Sequence, residues 1–110
     1  MRKIAVIASA LLAGILLAQT PAGNAANGKV LFDQFGCYNC HGRLGQGTVA
    51  GPRIGPRPLA IAALIAYVRK PTAQMPPFTD KVISDAQLTD IRAYLASVPD
   101  AAKDPPLLKQ

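Results

Sequence analysis

Apolar and polar positions along the chain fall into stretches of different period. Residues 4 to 18 form an almost unbroken apolar run behind the basic start Met1-Arg2-Lys3. From 28 to 35, Val30, Leu31, Phe32 and Phe35 form an apolar stripe, which predicts a short helix with Asn27 as N-cap and Gly36 as its stop. Residues 59 to 69 read as a second helix, opened by Pro58 and followed by Pro71. Leu88, Ile91, Tyr94, Leu95 and Val98 predict a last helix that Ser84 or Asp85 caps, running to about Ser97 ahead of Pro99. Two irregular stretches separate these helices. Gly42, Gly45, Gly47, Gly51, Pro52, Gly55, Pro56 and Pro58 exclude regular structure over 42 to 58 and imply a loop wrapped over something. Pro71 to Pro77 is a second loop, stiffened by prolines, with Met75 inside it. No segment reads convincingly as a strand, so the expected fold class is all-α, and residues 100 to 110 read as a polar, proline-broken tail.

The apolar run at the start is about 15 residues, short of the ~20 that a membrane-spanning helix needs. With its basic beginning and the small, polar stretch from Gln19 to Ala25, it has the layout of a secretory signal peptide. The expected cut follows Ala25, with Gly23 and Ala25 as the small residues at −3 and −1; a cut after Ala22 is the rival. The expected division is therefore 1–25 signal peptide, 26–99 folded domain and 100–110 tail. The expected location is periplasmic, with no membrane span after processing.

Removing that leader changes the composition. The overall 50% hydrophobic content is inflated by residues that are lost, and about 85 residues remain to bury a core. Chains of that size often need a staple. The two cysteines are three positions apart, and a disulfide between them would constrain little of the unfolded chain. A large apolar cofactor would fill the gap. Arg2 and Lys3 go with the leader, which leaves ten of the 12 basic residues against six aspartates. This moderate positive charge has no basic run longer than two residues and few aromatics beside it, so it points to an acidic partner and away from nucleic acid.

The chemical signal is Cys37-Tyr38-Asn39-Cys40-His41. Thiols one helical turn apart point the same way and can add to the two vinyl groups on one edge of a haem, while the adjacent imidazole reaches the iron. A zinc site needs four ligands, and two Cys and one His do not supply them. A redox dithiol of the thioredoxin kind needs a βαβ setting that is missing here. His41 is the only histidine, and Met75 the only methionine besides Met1. The sixth iron position therefore has one thioether candidate and no second imidazole. Pro76 biases Met75 toward extended backbone.

The chain resembles the class I c-type cytochromes of the bacterial monohaem type over about residues 26 to 98. The resemblance rests on Gly28-x-x-Leu31-Phe32, Cys37 to Gly42, Gly51-Pro52, Pro71-x-x-Gln74-Met75-Pro76-Pro77-Phe78 and Tyr94-Leu95. It implies a cytochrome c fold of three to four short helices around one covalently attached haem c and its iron. The cofactor would be bound by Cys37, Cys40, His41 and Met75, with His41 and Met75 on the metal. It implies that the first and last helices cross, with Gly28 allowing close approach beside Tyr94, and that the Pro52 carbonyl accepts the Nδ1 proton of His41. Two features depart from the family. Gly36 adds one residue ahead of Cys37, and without Trp the haem propionates would need Arg53, Arg57 or Tyr67.

With both axial positions filled, iron has no open site for catalysis, and a thioether ligand raises its potential. The expected function is a periplasmic single-electron carrier, not an enzyme. Its redox partners would be a dehydrogenase donor, an oxidase acceptor or both, meeting it through an acidic face. The alternative is a dedicated cytochrome subunit of a periplasmic dehydrogenase. A haem enzyme or gas sensor with loosely held Met75 is a third reading. Between His41 and Ser84 lie Arg43, Arg53, Arg57, Arg69, Lys70 and Lys81 against one acid, Asp80, which predicts a positive rim around the haem edge.

Overall fold

The computed structural model describes residues 22 to 100. Residues up to 21 of the expected signal peptide, and the expected tail beyond Asp100, lie outside the described residues. Four helices appear in chain order: α1 Ala25–Gln34, α2 Tyr38–His41, α3 Ile61–Arg69 and α4 Asp85–Ser97. Among the described residues the only strand-like pairing is an isolated bridge between Thr48 and Gly51. The all-α expectation is met.

Helix α1 starts three residues earlier than the apolar stripe suggests. Its N-cap is Asn24, whose side-chain oxygen accepts the Asn27 N–H at 3.0 Å. The Asn27 side chain is otherwise engaged, since its amide donates to Asp90 on α4 at 2.8 Å. Asn24 also donates its own N–H to Asp90, again at 2.8 Å. These two donors, the Asn24 N–H above all, hold the Asp90 carboxyl below the usual carboxylate range. That contribution to stability is present at neutral pH and is lost as pH falls through the lowered pKa.

The buried face of α1 is Gly28, Leu31 and Phe32, the i, i+3, i+4 row of one helix side. Val30, expected in that stripe, lies off the row and is 60% exposed. Facing it, α4 buries Leu88, Ile91, Tyr94 and Leu95, with Ile83 and Val98 just outside its ends. The rings of Phe32 and Tyr94 pack at 5.5 Å and 57°. Gly28 permits the crossing, although the contact sits one turn before Tyr94. A methyl group there would collide with the Asp90 carbonyl and lie 2.9 Å from the Ile91 nitrogen. Gly28→Ala should therefore destabilise the holoprotein by roughly 1–3 kcal/mol or more, read as a lower denaturant midpoint at unchanged slope.

Helix α4 begins as its sequence indicates. Ser84 accepts the Gln87 N–H at 3.1 Å while the Gln87 side chain accepts the Ser84 N–H at 2.9 Å, a complete capping box. Helix α3 begins two residues later than expected. Residues 58–60 stay outside the helix, with Ala60 at φ −54° and ψ 147°; the Leu59 carbonyl is taken by Arg92 of α4 at 2.7 Å, and the first helical carbonyl is that of Ala60.

Candidate functional site

Gly36 adopts φ +75°, a left-handed conformation suited to glycine, and turns the chain from α1 into the one-turn helix α2. Within that turn the His41 N–H donates to the Cys37 carbonyl at 3.0 Å. Cys37 and Cys40 are separate thiols, the first half-buried and the second exposed. Burial pushes the Cys37 thiol up to about 11, so it is protonated in this environment at neutral pH.

His41 is fixed from the side away from its free nitrogen. Its Nδ1 lies 2.7 Å from the Pro52 carbonyl. A carbonyl only accepts, so Nδ1 carries the proton and the Nε2 lone pair of the neutral ring is left available. The Gly-rich loop is cut to fit this contact. A Cβ at Gly51 would sit 2.9 Å from the Cys40 carbonyl and 3.1 Å from the His41 Nδ1. Thr48 donates its hydroxyl to the Cys40 carbonyl at 2.5 Å, and Gly47 donates its N–H to the His41 carbonyl at 2.8 Å. Tyr94 reaches over from α4 and donates its hydroxyl to the Arg43 carbonyl at 2.6 Å, which ties the loop start to the helical core.

The Met75 loop is held at both ends. Phe78 donates its N–H to the Val68 carbonyl at 3.0 Å, and Tyr67 and Thr72 join their hydroxyls at 2.8 Å. Arg69, the last residue of α3, donates to the Phe78 carbonyl at 3.0 Å and to Asp85 at 2.6 Å. Met75 itself is half-buried.

Cys37, Cys40, His41 and Met75 all line one cavity of about 860 Å³, within the roughly 300–1,000 Å³ typical of cofactor sites. Phe32, Ile54, Leu64, Val68 and Leu95 give it apolar walls. Among the described residues no three His, Cys, Asp or Glu side chains gather as a metal-binding group. The donors are two thiols, one oriented imidazole and one thioether around an apolar slot, and they fit a covalently attached haem. Arg53, Arg57 and Tyr67, the three propionate candidates, all reach the cavity wall.

The basic residues of the middle segment do not form a uniform rim. Arg57 and Arg53 both turn to Asp100, at 3.1 and 3.8 Å, and Arg69 pairs with Asp85. Arg43 lies over the Tyr38 ring at 4.8 Å. Lys70 and Lys81 are exposed.

Residues 23–95 match the family described as cytochrome c oxidase, cbb3-type, subunit III. The chain belongs to this family. It is a class I c-type cytochrome, and membership brings a covalent haem c with its iron. A solved chain of p-cresol methylhydroxylase, crystallised with substrate bound, is also similar to the cytochrome. The two share 31% identity over 74% of this chain and 100% of that one, with a TM-score of 0.57. No curated relative matches the cytochrome. None of its described helices is long and apolar enough to cross a membrane.

The supporting residues were the ones sequence reasoning missed. Thr48 and Arg69 act through backbone carbonyls, a role that leaves no motif. Tyr94 was legible as a core residue but not as the donor that fastens the loop.

Proposed function

We propose that the cytochrome is an exported, periplasmic carrier of single electrons. The observation that carries this reading is the convergence of His41 and Met75 on the same apolar cavity as the two thiols. Cys37 and Cys40 would hold the haem by thioethers, and His41 and Met75 would be the ligands of its iron. When bound, the haem supplies a one-electron Fe(III)/Fe(II) couple. The Pro52 carbonyl holds the imidazole in the tautomer and orientation that ligation requires, and the pinned ends of the Met75 loop do the same for the thioether. The apolar walls exclude water and disfavour the more highly charged oxidised state. Arg53 and Arg57, on the cavity wall and sharing Asp100 as a counter-charge, would meet the propionates.

Partners are redox proteins, a dehydrogenase donor, an oxidase acceptor or both, that present an acidic face. Arg43, Lys70 and Lys81 provide the positive side of that encounter, because the other arginines of the segment are locally paired. Steering of this kind raises association rate more than affinity and is screened over about 10 Å at 0.1 M salt. The second-order electron-transfer rate with the natural partner should fall as ionic strength rises. Lys70→Glu should slow the low-salt reaction several-fold. Lys29→Glu, at a lysine on α1 that is already paired with Asp33 at 3.2 Å, should change it little. A rate that is flat or rises with salt contradicts the positive docking face.

A second reading, a cytochrome held permanently as an enzyme subunit, is favoured by the likeness to a whole chain of p-cresol methylhydroxylase. Co-purification with a larger redox chain would support it over a diffusing carrier.

A further inference from the structure

Residues 23 to 27 are built into the domain. Gly23 has φ +87° and lies so close to α4 that a Cβ would fall 2.5 Å from the Thr89 carbonyl oxygen and 3.2 Å from Ala93 Cβ. The Asn24 N–H donates to the Asp90 carboxylate at 2.8 Å, and its side chain caps α1 through the Asn27 N–H. Its carbonyl accepts the Gly28 N–H at 2.8 Å, the first hydrogen bond of the helix. The Ala25–Ala26 bond lies inside the first helical turn. A chain that began at Ala26 would lose the cap, the first helical bond and one of the two Asp90 contacts. It would also put an ammonium group at a helix N-terminus, where the dipole disfavours positive charge. A chain that begins at Gly23 keeps all three contacts. Its ammonium would then sit ahead of the cap, on the residue that packs against Thr89 and next to the one bonded to the Asp90 carboxylate. The family match likewise begins at residue 23.

From this geometry we propose that signal peptidase cuts between Ala22 and Gly23, so that Gly23 is the first residue of the mature cytochrome. This rests on the reading of the chain as exported, and it moves the expected cut from Ala25 to the rival position. The step is a hydrolysis. Water breaks the Ala22–Gly23 amide, its oxygen completes the Ala22 carboxylate of the leader, and the nitrogen leaves as the Gly23 amino group. Thr20 and Ala22 are the small, uncharged residues that then stand at −3 and −1.

The test is the N-terminal sequence and intact mass of the secreted holoprotein made from the full chain. The expected start is Gly-Asn-Ala-Ala-Asn. A start at Ala26, or at any other internal position, overturns the assignment and leaves export standing. A chain that keeps Met1 and stays in the cytosol overturns both. Variants sharpen the result. Ala22→Leu should abolish processing at this bond, whereas Ala25→Leu should leave the cut and its yield unchanged; the reverse pattern refutes the proposal. Secreted from one heterologous leader, the form starting at Ala26 should show a folding equilibrium constant at least about fivefold lower than the form starting at Gly23, the worth of one lost helix cap. Equal stabilities would remove the structural basis of the inference.

Discussion

The variant carrying both Cys37→Ala and Cys40→Ala is expected to hold no covalent haem. One turn of α2 sets the two sulfur-bearing residues and His41 on a single segment, and all three open into the same cavity. Without the thiols nothing else in the chain can form a thioether bond to the porphyrin. Acid–acetone treatment of the wild-type protein should leave haem on the polypeptide, and the mass should equal the processed chain plus one haem. Either single substitution should reduce attachment, and the pair should abolish it. His41→Ala should be as damaging, because there is no second histidine to replace it and the Pro52 carbonyl would lose its partner. Haem that extracts freely from the wild type would contradict the attachment.

Met75→Ala has the second-largest expected effect, and it falls on the iron more than on the fold. The loop around Met75 is fixed through Phe78, Thr72 and Arg69, none of which touches the sulfur in the contacts described above. The scaffold should therefore survive the truncation while the sixth ligand disappears. Axial ligands set haem potentials over a range of about 0.8 V, and losing the thioether should lower this one by something on the order of 0.1 V or more. The weak long-wavelength absorption band of thioether-bound ferric iron should vanish with it. A variant that keeps both band and potential would eliminate Met75 as the ligand.

Helix α4 was legible because its period and its capping box agree, and both are local. The start of α1 was not. Asn24 and Asn27 can each cap a helix, and the choice is made by Asp90, which lies 66 and 63 positions further along the chain. Gly28 was correctly singled out, but the backbone it admits is that of Asp90 and not the side of Tyr94. The contact from His41 to Pro52 followed from the family resemblance and is present. Local pairing of Arg53, Arg57 and Arg69 was invisible in a charge count, because Asp85 and Asp100 lie outside the basic segment and reach it only through the fold. The hydroxyl of Thr48 and the guanidinium of Arg69 find backbone carbonyls, partners that every residue offers and no sequence pattern marks.

Electron carriage without catalysis requires that both axial positions of the iron be filled by the chain. Carbon monoxide added to the reduced wild-type protein at neutral pH asks this directly, because it binds ferrous haem only where a position is open. An unchanged visible spectrum is the result predicted here, with the Met75→Ala variant responding under the same conditions. A shifted spectrum in the wild type would contradict the carrier assignment and point to a ligand-binding haem protein.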